Sequence, residues 1–167
     1  MKSLCSTALG VTLAATSAHA IDPCMVGIWE ADGADIAALM ATQMGGNATY
    51  LSGAASLEIT ETGNMTLLVN DLVIEVQMPD VPPIAVTVSG YSQGAMNADD
   101  GTTYVANAPE YDLMGSADVM GTRMDVPVTS DTGAWGQSTG TYACTDGGLA
   151  FEADQPGSIP PSWTRVR

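Results

Sequence analysis

From residue 57 onward the chain runs almost entirely in short stretches of two-residue period, each stopped by Gly, Asp, Asn or Pro. Such alternation puts successive side chains on opposite faces, so each stretch reads as a strand with one apolar face. "LEIT" and "MTLLV" flank Glu61-Thr62-Gly63-Asn64, and "LVIEVQM" and "IAVTVSGY" flank the turn "PDVPP". "GAMN" and "TTYVANA" flank Ala98-Asp99-Asp100-Gly101, "TGTYAC" and "LAFEA" flank "TDGG", and "WTRV" comes last. Paired runs around turn residues are the signal of antiparallel hairpins. No helix of crossover length separates them, so parallel βαβ units are excluded. The expected fold is all-β: a closed up-and-down antiparallel barrel of about 8–10 strands, with a β-sandwich as the alternative. A barrel leaves no sheet edge open to aggregation.

The exception to strand patterning comes early. "CMVGIWEA" (24–31) alternates, with Cys24, Val26 and Ile28 on one face and Met25, Gly27 and Trp29 on the other. "ADIAALMATQM" follows and reads as one short helix. Asp32 can cap its start, Ile36, Leu39, Met40 and Met44 recur at helical spacing, and Gly45-Gly46 stop it. Two hairpin stretches, 92–106 and 138–153, share Ser, Gly, Asp and Gly at matching places. Repetition fits a meander, although turn chemistry alone produces the same match. No linker or low-complexity tail interrupts residues 21–167, which read as one domain.

Residues 1–20, "MKSLCSTALGVTLAATSAHA", have one cation (Lys2), an apolar stretch and a small-x-small ending at Ala18-His19-Ala20. That is the layout of a secretory signal peptide cleaved after Ala20. It is too short for a spanning helix, so a secreted or periplasmic protein without a membrane anchor is expected. Cleavage removes Lys2, His19 and Cys5, the only lysine, the only histidine and one of three cysteines. Cys24 and Cys144 then read as a disulfide closing a loop of about 120 residues, worth up to about 4–5 kcal/mol by chain entropy. The chain's formal charge of −15 becomes one unit more negative without Lys2. Such a surface repels nucleic acid and anionic lipid, and suits either solubility or a basic protein partner.

The same inventory excludes most catalytic chemistry. Without histidine, lysine or a free thiol there is no Ser-His-Asp triad, Schiff-base amine or activated sulfur. Zinc and haem sites built on His or Cys are excluded too. Carboxylate pairs remain: Glu58 with Glu61, or Asp99 with Asp100, as in a glycosidase. Calcium, an oxygen-seeking ion, has candidates in Asp32 with Asp35 and in Asn97 with Asp99 and Asp100, none at EF-hand spacing. Turn and cap formation explains these residues more simply, and no enzyme, metal or cofactor is expected. Met40/Met44 and Met120/Met124 are each spaced by four. The second pair, read within one strand, would lie more than about 12 Å apart, which suits packing or a plastic apolar cavity better than soft-metal ligation. Asn47 and Asn64 open N-x-T sequences that matter only in a eukaryotic host.

"VGIWE" near residue 27 and "WTRV" near the C-terminus resemble the calycin superfamily, the lipocalins and fatty-acid-binding proteins. There a G-x-W on the first strand lies under an arginine of the last strand, matched here by Gly27, Trp29 and Arg165. The resemblance implies that Arg165 stacks on Trp29 and closes one barrel end. Surface ion pairing and contact with an anionic ligand are the other readings of Arg165. The chain departs from the fatty-acid-binding pattern in carrying one helix rather than two and Arg167 where a tyrosine is usual. The function expected is a non-catalytic exported carrier or sensor of a small hydrophobic molecule. The alternative is a filled barrel acting through protein contacts, as an envelope interaction module or protease inhibitor.

Overall fold

Alternation becomes strand throughout, but the strands are longer than the runs that announced them. The computed structural model describes residues 21–99, 101–128 and 137–166, with only the backbone of Met44; the signal-like segment lies outside these. Strands are β1 (Gly27–Ala31), β2 (Asn47–Ile59), β3 (Asn64–Gln77), β4 (Ile84–Asn97), β5 (Thr103–Val119), β6 (Thr122–Val128), β7 (Gln137–Cys144), β8 (Gly148–Ala153) and β9 (Ser162–Arg165). Helix α1 (Gly33–Met44) follows β1. All strand pairings in the sheet are antiparallel, in the order β4-β3-β2-β1-β9-β8-β7-β5, and a β4–β5 pairing closes eight strands into a barrel. The sandwich alternative is thereby set aside.

Strand β3 shows why the runs looked shorter. Met65, Leu67 and Val69 are buried, then Leu72, Ile74 and Val76. The shift of parity falls at Asn70–Asp71, where the β3–β4 register slips and Asp71 takes φ 42°. This bulge lets one strand keep the same face inward through a bend. Across the sheet, Gly53 of β2 (φ 93°) lies so close to the Asp71 carbonyl that no Cβ fits. Gly90 of β4 (φ 123°) meets the Asp112 carbonyl in the same way. The sheet therefore bends along a line from Gly53 through Asp71 to Gly90.

On one side of this line the barrel is closed and full. Trp29, Tyr104, Phe151, Trp163 and Met25 are buried there, with the Tyr104 and Phe151 rings edge-on at 4.8 Å between centroids. Each polar tip has a partner. Trp29 Nε1 donates to the Met25 carbonyl (2.8 Å), Trp163 Nε1 to Pro160 (2.8 Å), and Tyr104 Oη lies 2.7 Å from Ser138 Oγ. Residues 21–25 plug this end. Ile21 bridges Ala98, and Asp22 accepts from Tyr142 Oη (2.8 Å) and the Cys24 amide (2.8 Å). Between Leu57, Met65, Leu67, Ser92 and Ile159 a void of only about 20 Å³ remains.

On the other side the barrel is open. β1 pairs only with residues 56–59 of β2. β7 takes Thr103–Asn107 of β5 and β6 takes Leu113–Val119 of the same edge. The far halves of β2–β5, with β6, thus form a curved sheet beyond the closed ring, and α1 packs against it. Asp32 Oδ1 caps the helix by accepting from the Ala34 amide (2.7 Å), and Gly45 ends it in the left-handed conformation (φ 68°).

One sequence expectation is corrected. Met120 and Met124 do not share a strand: Val119 pairs with Thr122, and Met120 (φ 52°) with Gly121 (φ 79°) forms the turn between β5 and β6. Positive φ at both positions is what a two-residue type I′ hairpin turn demands. Met in place of the usual Asn or Asp hid it. Met120 is 98% exposed at its tip.

Candidate functional site

The two ends of the molecule carry different chemistry. At the closed end, β1 and β9 place Trp29 opposite Arg165. The Arg165 guanidinium carbon lies 4.0 Å from the Trp29 ring centroid. Its nitrogens donate to the carbonyls of Val26 (2.8 Å), Cys24 (2.5 Å) and Asp146 (2.8 Å). Cys24 is joined to Cys144 by a disulfide. Gly27, on β1 with φ 148°, pairs with Ile59. Among the described residues Arg165 thus holds three backbone carbonyls rather than the carboxylates of an ordinary surface pair.

At the open end, α1 lies over the inner face of β3–β6 and leaves an apolar cleft of about 460 Å³. Its walls include Leu39 and Met40 from the helix, Val86 and Val88 from β4, and Leu113 and Val126 from the far strands. Met124 and Val126, 52% and 57% exposed although they pair with the inward residues Ala117 and Gly115, mark the mouth. Gly115 lines the cleft with room to spare: a Cβ there would meet nothing nearer than the Val126 carbonyl at 3.5 Å. Among the lining residues none is charged, and Gln43 and Ser116 are the polar ones. The Gln43 amide donates to the Gly157 carbonyl (3.0 Å), and Ser116 Oγ accepts from Arg123 (3.1 Å).

The carboxylates singled out from the sequence are dispersed. Glu58, Glu61, Asp32 and Asp99 are exposed, Asp35 is half-buried, and Asp100 lies outside the described residues. Among the described residues no three His, Cys, Asp or Glu side chains cluster as a metal site. Asn47, Asn64 and Asn97 are exposed ends of strands. Of the methionines singled out, Met40 and Met124 both line the cleft. Tyr111 carries the one buried side-chain polar atom that has no partner among the described residues, and burial pushes its hydroxyl pKa up to about 12.

Sequence reasoning missed the cleft as a place, because its walls come from four strands and a helix. The available signal was the apolar alternation of Ile84, Val86 and Val88, repeated in Met124, Val126 and Val128.

An eight-stranded closed antiparallel barrel with one short helix after its first strand is compatible with the calycin architecture. Compared with protein-family models, curated proteins and solved structures, the chain matches none. Among the described residues no helix is long and apolar enough to cross a membrane.

Proposed function

We propose that the protein is an exported, non-catalytic carrier or sensor of a small apolar molecule, held in the cleft between α1 and the inner face of β3–β6. One observation supports this above others: the closed barrel is filled, while an uncharged cleft of about 460 Å³ stays open beside it. That volume lies in the range of small-molecule sites, roughly 300–1,000 Å³. A second copy of the chain is a poor occupant, because two surfaces of the same strong negative charge repel. Edge strand β6 is further blunted by Pro127 and by the exposed pair Arg123–Asp125 (3.1 Å). The filled closed half is what favours the second reading, a barrel that engages another protein.

Titration with N-phenyl-1-naphthylamine, a neutral apolar fluorophore, tests the first reading. Wild-type protein is expected to enhance its emission saturably. Gly115→Leu, which builds a side chain into the open space, is expected to weaken binding by at least about tenfold with unchanged circular dichroism. Met114→Ala, on the outer face of the same strand, is expected to bind as wild type. Absence of binding, or equal binding by Gly115→Leu, would sink the proposal. So would a concentration-dependent dimer abolished by Gly115→Leu, because the cleft would then be an interface between copies.

A further inference from the structure

On the reading that the cleft holds a small molecule, we infer that its ligand is uncharged, and that the site discriminates against carboxylates and ammonium ions of the same chain length. The first ground is the lining. Among the described residues no charged side chain contributes to it, and its two polar ones, Gln43 and Ser116, each already hold a hydrogen bond. A charge brought against such walls loses water and meets no opposite charge in return, which disfavours the ionised ligand.

The second ground is where the cations are. Residues 21–167 contain no lysine and three arginines. Arg165 is committed to the carbonyls of Cys24, Val26 and Asp146 at the closed end. Arg123 alternates with Met124 along β6, and its side chain is already engaged by Asp125 and by the lining residue Ser116. Arg167 and segment 129–136 lie outside the described residues, and that segment's sequence contains one aspartate and no cation. An anionic head at the mouth would also meet the strongly negative field of the whole chain. An ammonium head is drawn by that field but finds no carboxylate in the lining to receive it.

The size sets the chain. At ~30 Å³ for a water-sized group, 460 Å³ holds on the order of 15 heavy atoms. A straight ten-carbon chain fits within it.

Displacement of bound N-phenyl-1-naphthylamine by decanol, decanoate and decylammonium provides the test. Decanol is expected to displace the probe, and each ion to need at least about ten times the concentration. The ranking should persist in high salt, where long-range repulsion is screened but local desolvation is not. Met124→Arg, at the half-exposed mouth, is expected to improve decanoate relative to decanol by at least about tenfold, since it supplies the missing partner. Decanoate or decylammonium displacing the wild-type probe as well as decanol does would overturn the inference while leaving the cleft a binding site. Probe bound but displaced by none of the three would overturn it too. No probe binding at all would instead remove the underlying reading.

Discussion

Arg165 offers the sharpest energetic test of how the barrel is closed. Arg165→Met keeps much of the aliphatic stem and removes the guanidinium. Two of its three hydrogen bonds, to the carbonyls of Cys24 and Val26, are part-buried, and the third, to Asp146, is exposed. A hydrogen bond from a charged donor contributes about 1.5–3 kcal/mol, and leaving a part-buried carbonyl unpaired forfeits it. The contact with the Trp29 ring at 4.0 Å adds about 0.5–1 kcal/mol. Allowing for relaxation, the variant should lose about 3–4 kcal/mol, a large fraction of the roughly 5–15 kcal/mol that holds a domain together. In urea this moves the midpoint by about 2 M at an m-value of roughly 1.5–2 kcal/mol/M. Arg165→Lys should recover little, because one ammonium cannot span three carbonyls set around a planar fork. Carbonyls are neutral and do not titrate, so most of the loss should persist in high salt, where only the long-range attraction of the acidic chain is screened, and from mildly acidic to neutral pH. A loss below about 1 kcal/mol, or one that vanishes in high salt as surface ion pairs do, would refute this account of the closed end.

Reduction of Cys24–Cys144, which are 120 residues apart, should cost up to about 4–5 kcal/mol, read as a fall in the urea midpoint with dithiothreitol. Because Arg165 also holds the Cys24 carbonyl, combining reduction with Arg165→Met should cost less than the two separate losses added together. Tyr111→Phe removes a buried hydroxyl without a partner among the described residues, so it should be neutral or stabilise by up to about 1 kcal/mol; a loss beyond about 1 kcal/mol would reveal a partner. The raised Tyr111 pKa means the folded state holds its proton more tightly than the unfolded state does. Burial penalises only the ionised form, so stability should be unaffected by this group below pH 10 and fall as the pH rises towards about 12, a fall smaller in Tyr111→Phe, where Tyr104 keeps a raised pKa, in alkaline unfolding curves. Gly115→Leu should leave the cost of Arg165→Met unchanged to within about 0.5 kcal/mol, since one lines the cleft and the other the closed end.

Local patterning carried the class of fold. Helix α1 was legible in full, from the Asp32 cap to the Gly45 stop, because both signals are single residues acting on adjacent backbone. The hairpins around 61–64, 79–83 and 145–148 were legible for the same reason. What alternation could not show is continuity. The bulge at Asn70–Asp71 resets parity, so β3 looked like two strands, and the Met120–Gly121 turn looked like strand because methionine is a poor marker of positive φ. The disulfide followed from counting two cysteines outside the leader-like segment. The Trp29–Arg165 contact was suggested by resemblance alone, and no spacing in the sequence places residues 136 positions apart against each other. The cleft was invisible because emptiness is not a residue property: Val86 and Val126 look like core, and only the curvature of the sheet leaves space between them.

Strand length, more than side-chain size, explains how one chain holds both a filled barrel and an open cleft. β1, β7, β8 and β9 run for 5, 8, 6 and 4 residues, whereas β2–β5 run for 13 to 17. At about 3.4 Å per residue the short set spans roughly 14–27 Å and the long set roughly 44–58 Å. Eight strands can therefore meet only over one end of the long ones, and there Trp29, Tyr104 and Phe151 fill the ring. Past the bend at Gly53 and Asp71 the four short strands no longer take part, and β2 has no partner on its β1 side. α1 and β6 then flank a sheet whose inner face is still apolar. A fully closed barrel of this length would need its four short strands doubled. It would also bury the cleft beyond the reach of a ligand unless the chain opened. The chain instead keeps the filled core and the open cleft apart. Stability rests in the short-stranded end, where the disulfide, Arg165 and the aromatic core converge. The unfilled apolar surface lies where fewer strands meet and where a side chain can be added at Gly115 without displacing the backbone.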